Sequence, residues 1–258
     1  MDLDGIRLKT EGHIATITLA RPQRRNALSL EMLQKVIKTL EAVPGEAGVV
    51  IIEAEGPAFS AGHDLGEMID RPADYYHELF DTCVRMMQTL HALPQPVIAK
   101  VQGVATAAGC QLVASCDLAV ASEDAWFATP GVSIGLFCST PMVPVSRAVG
   151  HKRAMQMLLT GEAVPAATAV EWGLINEVVP ADALDDAVAR LAGKILAFSS
   201  DTIALGKGAY YAQANRPEDE AYAITAPVMA SNAADDDAQE GMSAFLEKRK
   251  PNWRGAGS

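Results

Sequence analysis

The stretch that decides the fold reads Val97-Ile-Ala-Lys-Val-Gln-Gly-Val104, then Ala107-Ala-Gly-Cys-Gln-Leu-Val-Ala-Ser115, then Leu118-Ala-Val-Ala121. Its first and last parts are apolar and β-branched, which is typical of strands buried on both faces. Its middle part consists mostly of small and apolar residues, and we expect a helix there. A strand, a helix and a second strand in succession need a crossover, so this stretch predicts an α/β fold with a largely parallel sheet.

The same alternation extends towards the N terminus. Alternating apolar residues predict strands over 6–10 and 14–19, with Gly12 at a hairpin turn between them. Ser29 is placed to cap a helix that carries apolar residues at helical spacing. An apolar strand is predicted over 49–54 and a helix over 75–93.

Strand signals fade beyond about residue 140, where only 175–179 is predicted as a strand. The apolar spacing predicts further helices over 141–149, 152–160, 166–172, 182–197, 202–213 and 218–250. The last of these carries apolar side chains such as Met229 and Phe245, which need a surface to cover them. A second copy of the chain is the expected partner.

Composition limits the function. The 258 residues carry a formal charge of −11, which opposes nucleic acid as the main partner. No apolar run is long enough to span a membrane. The four cysteines show neither a C-x-x-C pair nor metal-like spacing, so no metal is expected and the thiols are predicted to be reduced. With an acidic start and no apolar leader, these features predict a cytoplasmic location.

Two short segments indicate chemistry. Phe59-Ser-Ala-Gly-His-Asp-Leu65 and Ala107-Ala-Gly-Cys-Gln111 each place a predicted strand end before exposed backbone N–H groups. Two such amides that meet at one carbonyl oxygen would form an oxyanion hole. The alternative is that Ala107-Ala-Gly109 only packs a helix tightly against a strand.

The chain resembles the crotonase superfamily, also called the enoyl-CoA hydratase/isomerase family, and within it the enoyl-CoA hydratase domain-containing branch. The shared motifs appear in family order along nearly the whole chain. They are Arg21-Pro-x-x-x-Asn-Ala-Leu28, Ala58-Phe-Ser-Ala-Gly-x-Asp-Leu65, Pro96-Val-Ile-Ala-Lys-Val-x-Gly103, Gly109-Cys-Gln-Leu-Val-Ala-Ser-Cys-Asp117 and Leu159-Thr-Gly161.

This resemblance implies a crotonase (ClpP-like) spiral of ββα turns over residues 1–197. It also implies that residues 198–258 form a C-terminal helical segment that drives a homotrimer or a hexamer. The implied ligand is an acyl-CoA thioester, with coenzyme A as part of the substrate and no separate cofactor.

The resemblance also assigns site residues. The oxyanion amides map to His63 and Ala108, with Ala107 beside the thioester. The residues expected to bind the substrate's coenzyme A portion are Gln23, Arg24, Arg25, Ala61, Asp64 and Leu65. Lys248 and Lys250 are candidates for the 3′-phosphate; the alternative is a solvated basic helix end.

The sequence departs from the family at the two glutamates that move protons in hydratases. Those positions correspond to Gln111 and Gly131, and neither residue can transfer a proton near neutral pH. Gln111 is retained as a candidate that positions a water molecule; the alternative is a buried, hydrogen-bonded helix residue. Cys138 is a candidate acyl-pocket residue or nucleophile; the alternative is a thiol that only packs in the core, because no partner base is evident. The His63 imidazole, expected to face solvent or Asp64, is a further candidate.

Several hypotheses therefore remain open. The chain is nominally an enoyl-CoA hydratase/isomerase that acts on a thioester through an oxyanion hole with altered chemistry. The alternatives are a non-catalytic acyl-CoA-binding or regulatory protein, a slow acyl-CoA thioesterase, and an assembly partner.

Overall fold

The computed structural model of the chain describes residues 1–254. The strands are β1 Asp2–Leu3, β2 Ile6–Glu11, β3 Ile14–Leu19, β4 Val49–Ala54, β5 Ala58–Ser60, β6 Val97–Val101, β7 Val104–Thr106, β8 Leu118–Ser122, β9 Trp126–Ala128, β10 Val164–Pro165 and β11 Glu177–Val179. The α-helices are α1 Leu30–Glu41, α2 Ala73–Ala92, α3 Ala108–Ser115, α4 Met142–Val149, α5 His151–Thr160, α6 Ala166–Trp172, α7 Leu184–Leu196, α8 Ser200–Gln213, α9 Glu218–Ala234 and α10 Asp236–Glu247. Short 3-10 helices span Pro22–Arg24, Leu65–Glu67, Pro130–Ile134 and Ala181–Ala183.

The larger sheet confirms the predicted hairpin and parallel arrangement. Its strand order is β1-β2-β3-β4-β6-β8-β11. The first two pairs are antiparallel, and every pair from β3 to β11 is parallel. In the middle of the sheet Ile17 lies opposite Ile52, which lies opposite Ala99. All three side chains are buried, as expected of parallel strands covered on both faces.

A second, smaller sheet with order β10-β9-β7-β5 was not predicted from the sequence. The strands β5, β7 and β9 have only three residues each, too few for a clear alternation. The single strand predicted over 97–104 is wrong, because the chain crosses between the sheets at Gln102 and Gly103. A Cβ on Gly103 would lie 2.2 Å from the Pro57 carbonyl oxygen, so only glycine allows this crossing.

The two sheets together confirm the predicted spiral of ββα turns. Each turn contributes one strand to the large sheet, one to the small sheet and then a helix. The order β4-β5-α2 is followed by β6-β7-α3 and then by β8-β9 and α4.

The C-terminal third is helical, as predicted, but 218–250 is not one helix. Asp235 is extended and separates α9 from α10, and Lys248 ends α10 in the left-handed conformation. In the described part of the chain neither α8 nor α9 has a buried residue. Residues 255–258 of the predicted helical segment lie outside the described residues. Within 1–254, no helix combines the length and apolarity that crossing a membrane would require.

A largely buried ion pair holds α8 against the core. Lys207 Nζ lies 2.7 Å from Asp117 Oδ2 and donates to the carbonyl oxygens of Leu90 at 2.9 Å and Gln95 at 2.8 Å. Asp117 also accepts from Tyr211 Oη and from the Val97 backbone N–H, both at 2.7 Å. Burial lowers the pKa of Lys207, and the Asp117 carboxylate opposes that shift. The cluster joins the helical segment to the large sheet at the points where β6 and β8 begin.

Candidate active site

Three strands of the small sheet end at one edge. The strands β5, β7 and β9 run parallel, so the segments that follow them emerge on the same side. These segments begin at Ala61, Ala107 and Thr129. The carboxyl ends of parallel strands are where α/β proteins place their ligand sites. The tertiary structure therefore brings together the sequence segments that carry the predicted oxyanion amides.

The backbone N–H groups of His63 and Ala108 are neighbours at this edge. Ala108 is the first residue of α3, so its N–H has no intrahelical acceptor. Within residues 1–254 neither N–H has a hydrogen-bond partner. Ala107 holds an unusual conformation with φ 50° and ψ −117° and donates its own N–H to the Ala128 carbonyl at 2.9 Å. Two unpaired donors therefore lie at the strand ends. The strained backbone conformation of Ala107 sets the direction of the Ala108 N–H.

Two glycines allow these segments to approach each other. A Cβ on Gly62 would lie 3.1 Å from the Ala108 backbone nitrogen and 2.9 Å from the Thr106 carbonyl oxygen. A Cβ on Gly109 would lie 2.3 Å from the Ser60 carbonyl oxygen. Because neither glycine carries a side chain, the segments that bear the two N–H groups can pack this closely.

Asn26 and Ser60 organise the site, and the sequence interpretation missed both roles. The Asn26 carboxamide donates to the carbonyl oxygens of Glu55 at 2.9 Å and Ala58 at 2.8 Å. The Ser60 hydroxyl donates to the Asn26 carbonyl at 2.9 Å and accepts from the Gly62 N–H at 3.2 Å. Both side chains are buried. The available signal was the polar Asn26 beside two apolar residues in the first family motif.

The His63 side chain does not face solvent or Asp64, so that expectation is wrong. Its Nδ1 lies 3.2 Å from the Leu28 carbonyl oxygen, and its ring packs edge-on against Phe80 with centroids 5.4 Å apart. Its Nε2 is buried, with no hydrogen-bond partner among residues 1–254. Burial lowers the pKa of the imidazole, against a smaller opposing effect of the Leu28 bond. The ring is therefore neutral at pH 7.

Asp64 and Arg24 pair with each other. The Arg24 guanidinium donates to Asp64 Oδ2, and Asp64 Oδ1 accepts the Gly66 N–H at 3.2 Å. Asp64 thereby caps the 3-10 helix over Leu65–Glu67. This pair occupies the Arg24 guanidinium.

The other predicted coenzyme A residues lie nearby, with one exception. Gln23 is exposed in the 3-10 helix Pro22–Arg24, and Arg25 is exposed directly after it. The Ala61 N–H donates to the Arg25 carbonyl at 3.0 Å. Leu65 is half exposed. Lys248 is exposed at the end of α10, where no side-chain hydrogen bond or ion pair joins it to the site within residues 1–254.

The two positions that correspond to the hydratase glutamates, 111 and 131, differ in the space available for a side chain. Gln111 is buried on α3, and its Oε1 accepts a weak hydrogen bond from Cys83 Sγ at 3.7 Å. A Cβ on Gly131 would lie 1.9 Å from the Leu136 carbonyl oxygen and 2.9 Å from Cys138 Sγ. No side chain fits at 131 unless this loop moves.

Cys138 has no feature of a nucleophile. Its sulfur accepts the Gly131 N–H at 3.4 Å, and burial raises the pKa of the thiol despite that bond. A thiol that stays protonated is a poor nucleophile.

Comparisons with known proteins agree with this architecture. The sequence model described as enoyl-CoA hydratase/isomerase matches residues 9–256. Enoyl-CoA hydratase domain-containing protein 3, mitochondrial, of Mus musculus is 49% identical over 93% of this chain and 81% of its own length. The 2,3-dehydroadipyl-CoA hydratase of Escherichia coli is 33% identical over 94% of this chain and 95% of its own length.

Solved structures show the same fold. An enoyl-CoA hydratase of Mycobacterium smegmatis superposes with a TM-score of 0.94 at 47% identity, covering 96% of this chain and 98% of the other. Human enoyl-CoA hydratase domain-containing protein 3 gives a TM-score of 0.93 at 46% identity, covering 96% and 100%.

The predicted cytoplasmic location is wrong as a plain statement. The relatives from Mus musculus, Xenopus laevis and Homo sapiens are named as mitochondrial proteins. Reduced cysteines, on which the expectation rested, are compatible with more than one compartment.

Proposed function

The chain belongs to the enoyl-CoA hydratase/isomerase family, and from that membership we propose that it binds an acyl-CoA thioester through an oxyanion hole. The thioester oxygen would accept hydrogen bonds from the backbone N–H groups of His63 and Ala108. The observation that carries the proposal is this pair of neighbouring, unpartnered donors. Such donors stabilise negative charge that develops on the oxygen during reaction.

We assign the coenzyme A portion to the surface beside this hole. The Arg25 guanidinium is exposed and suits a phosphate, while Gln23, Ala61 and Leu65 would line the nucleotide. Arg24 would bind a phosphate only if its ion pair with Asp64 were broken. Asp64 would still cap the 3-10 helix over Leu65–Glu67. Lys248 would contribute only from a neighbouring copy of the chain.

The reaction would differ from ordinary hydration. One general acid–base group contributes about 10²–10⁴-fold to a rate, and both glutamate positions lack a carboxylate. One oxyanion donor still contributes about 10²–10³-fold. The site is therefore suited to reactions that pass through an enolate or another oxyanion, with Ala107, Gly131 and Cys138 lining the acyl group and the Gln111 carboxamide placed to hold water.

A non-catalytic acyl-CoA-binding protein is the second candidate. It is favoured by Gly131, where the loop excludes any side chain, so no single substitution there restores a proton-transfer group. A slow thioesterase, which needs only the hole and a positioned water, is a weaker form of the first proposal.

Binding and turnover can be tested on the full chain. We expect the carbonyl carbon of ¹³C-labelled butyryl-CoA to shift downfield on binding, because two N–H donors polarise the C=O bond. Crotonyl-CoA absorbance and release of free thiol, assayed in parallel, separate hydration from hydrolysis. Binding with a carbonyl signal unchanged from that in water would contradict the oxyanion hole. A bound, polarised thioester that no assay turns over would favour the second candidate.

We also propose that the C-terminal helical segment joins copies of the chain. Phe245 is 82% exposed and Leu246 is 79% exposed on α10, and Met229 on α9 is 71% exposed. Burying these side chains would contribute roughly 1.5–3 kcal/mol each.

The assembly has a direct test. Light scattering should give three or six times the chain mass, and Phe245→Glu should lower that mass because it places a charge in the apolar contact. A monomer at micromolar concentration would contradict the assembly.

A further inference from the structure

Among the described residues, four buried side-chain polar atoms have no hydrogen-bond partner, and two of the four lie at the candidate site. Within residues 1–254 they are His63 Nε2, Gln102 Oε1, Thr129 Oγ1 and Asp237 Oδ2. Two of them, on His63 and Thr129, follow β5 and β9 at the edge where the candidate site lies. A buried polar atom without a partner costs about 1–3 kcal/mol. Such a cost at a ligand site indicates that the ligand completes the hydrogen bonding.

The hydrogen bonding of His63 fixes its tautomer. A carbonyl oxygen only accepts, so the Nδ1 that faces the Leu28 carbonyl carries the ring proton. The opposite nitrogen, Nε2, therefore holds a lone pair. The Leu28 N–H in turn donates to the Gly62 carbonyl at 2.8 Å, which anchors the same loop a second time. His63 thus presents a fixed basic nitrogen.

The His63 ring and the Gln111 carboxamide contact the same helix, α2. The ring contacts Phe80 on α2, and one turn along that helix Cys83 contacts the Gln111 carboxamide. Residues three apart on a helix share a face, so His63 and Gln111 face the same side of α2. The neighbouring carboxylate, Asp64, is engaged by Arg24 and the Gly66 N–H. No charged side chain of the described residues shifts the imidazole pKa, which burial keeps below its usual value.

We propose that His63 Nε2 is the base that removes a proton from the α-carbon of a bound acyl-CoA, so that the chain exchanges α-hydrogens of saturated thioesters with water. This inference rests on the proposed binding of an acyl-CoA. The acyl chain must displace the side chains that cover Nε2, because this atom is buried.

The step balances with water as the only other reactant. The Cα–H bond breaks and its proton bonds to Nε2. The electron pair forms a double bond to the carbonyl carbon, and the C=O π pair moves to the oxygen held by the two N–H groups. The imidazolium exchanges its proton with solvent, and the reverse step returns hydrogen or deuterium to Cα. A neutral imidazole nitrogen with a free lone pair can accept such a proton.

The test is deuterium incorporation into butyryl-CoA in D₂O, followed by mass spectrometry. His63→Asn keeps a donor for the Leu28 carbonyl but lacks Nε2, whereas His63→Ala lacks both, and neither removes the backbone N–H. We expect His63→Asn to lower the exchange rate by about 10²–10⁴-fold. Its calorimetric Kd for butyryl-CoA and its melting temperature are measured alongside, so that loss of the base is separated from loss of binding or folding. The unmodified chain should lose exchange as pH falls through the imidazole pKa.

Each other outcome is decisive. His63→Asn that exchanges at the original rate overturns the inference. Butyryl-CoA that binds without exchange overturns this inference and leaves the proposed function in place. Failure of butyryl-CoA to bind overturns the proposed function itself.

Discussion

Gly109→Ala is expected to abolish most thioester polarisation and to destabilise the chain. The new Cβ would lie 2.3 Å from the Ser60 carbonyl oxygen, so α3 and β5 must separate by about 1 Å. The Ala108 N–H moves with α3, and the loss of one oxyanion donor costs about 10²–10³-fold in rate. Overpacking itself costs about 1–3 kcal/mol of unfolding free energy. Denaturant unfolding and the ¹³C carbonyl shift of bound butyryl-CoA measure the two effects.

The chain offers a matched control for this substitution. Gly193 lies in the exposed interior of α7, and a Cβ there would meet nothing within 4 Å. Gly193→Ala should therefore raise the unfolding free energy by about 0.5–1 kcal/mol, because alanine favours the helix. The same chemical change is thus expected to act with opposite sign at the two positions. Gly109→Ala with unchanged stability and an unchanged carbonyl shift would contradict the close approach.

Lys207→Met is expected to have the largest effect on stability. The side chain is only 7% exposed, and its removal leaves the Asp117 carboxylate without its cation and the carbonyl oxygens of Leu90 and Gln95 without this donor. Removing one partner of a buried ion pair costs about 3–5 kcal/mol. For a chain of this size the melting temperature should fall by about 6–20 °C. Differential scanning calorimetry measures this directly.

Lys9→Met is the matched control. Lys9 pairs with Glu11, but both side chains are more than 70% exposed, and such pairs contribute about 1 kcal/mol or less. Lys207→Met that is no less stable than Lys9→Met would contradict an anchoring role for the buried cluster. Loss of assembly in Lys207→Met, at temperatures where the core remains folded, would show that α8 positions the C-terminal segment.

Strong local patterns predicted elements with correct bounds. Val49–Ala54 and Ala166–Trp172 have the limits expected from their apolar spacing, and Ser29 caps α1 by accepting the Met32 N–H at 3.1 Å. Short elements escaped prediction because three residues cannot display a period. The chain therefore appeared to have one strand over 97–104, where it has two strands in different sheets.

For the candidate site, the sequence predicted which backbone N–H groups take part but not how the side chains around them are arranged. The segments that carry His63 and Ala108 were identified from motifs, and the fold brings them together. The direction of the His63 ring depends on Leu28 and Phe80, which lie 35 and 17 positions away in sequence. The exclusion of a side chain at Gly131 depends on a carbonyl oxygen of Leu136.

The sequence by itself determined the family, the strands and helices long enough to show a clear period, and the absence of glutamates at 111 and 131, because these follow from residue identity and local period. Only the tertiary structure decided which polar atoms are left without partners. Burial and hydrogen bonding depend on groups that are distant in sequence, and those groups make the lone pair of His63 Nε2 available and leave no space at Gly131.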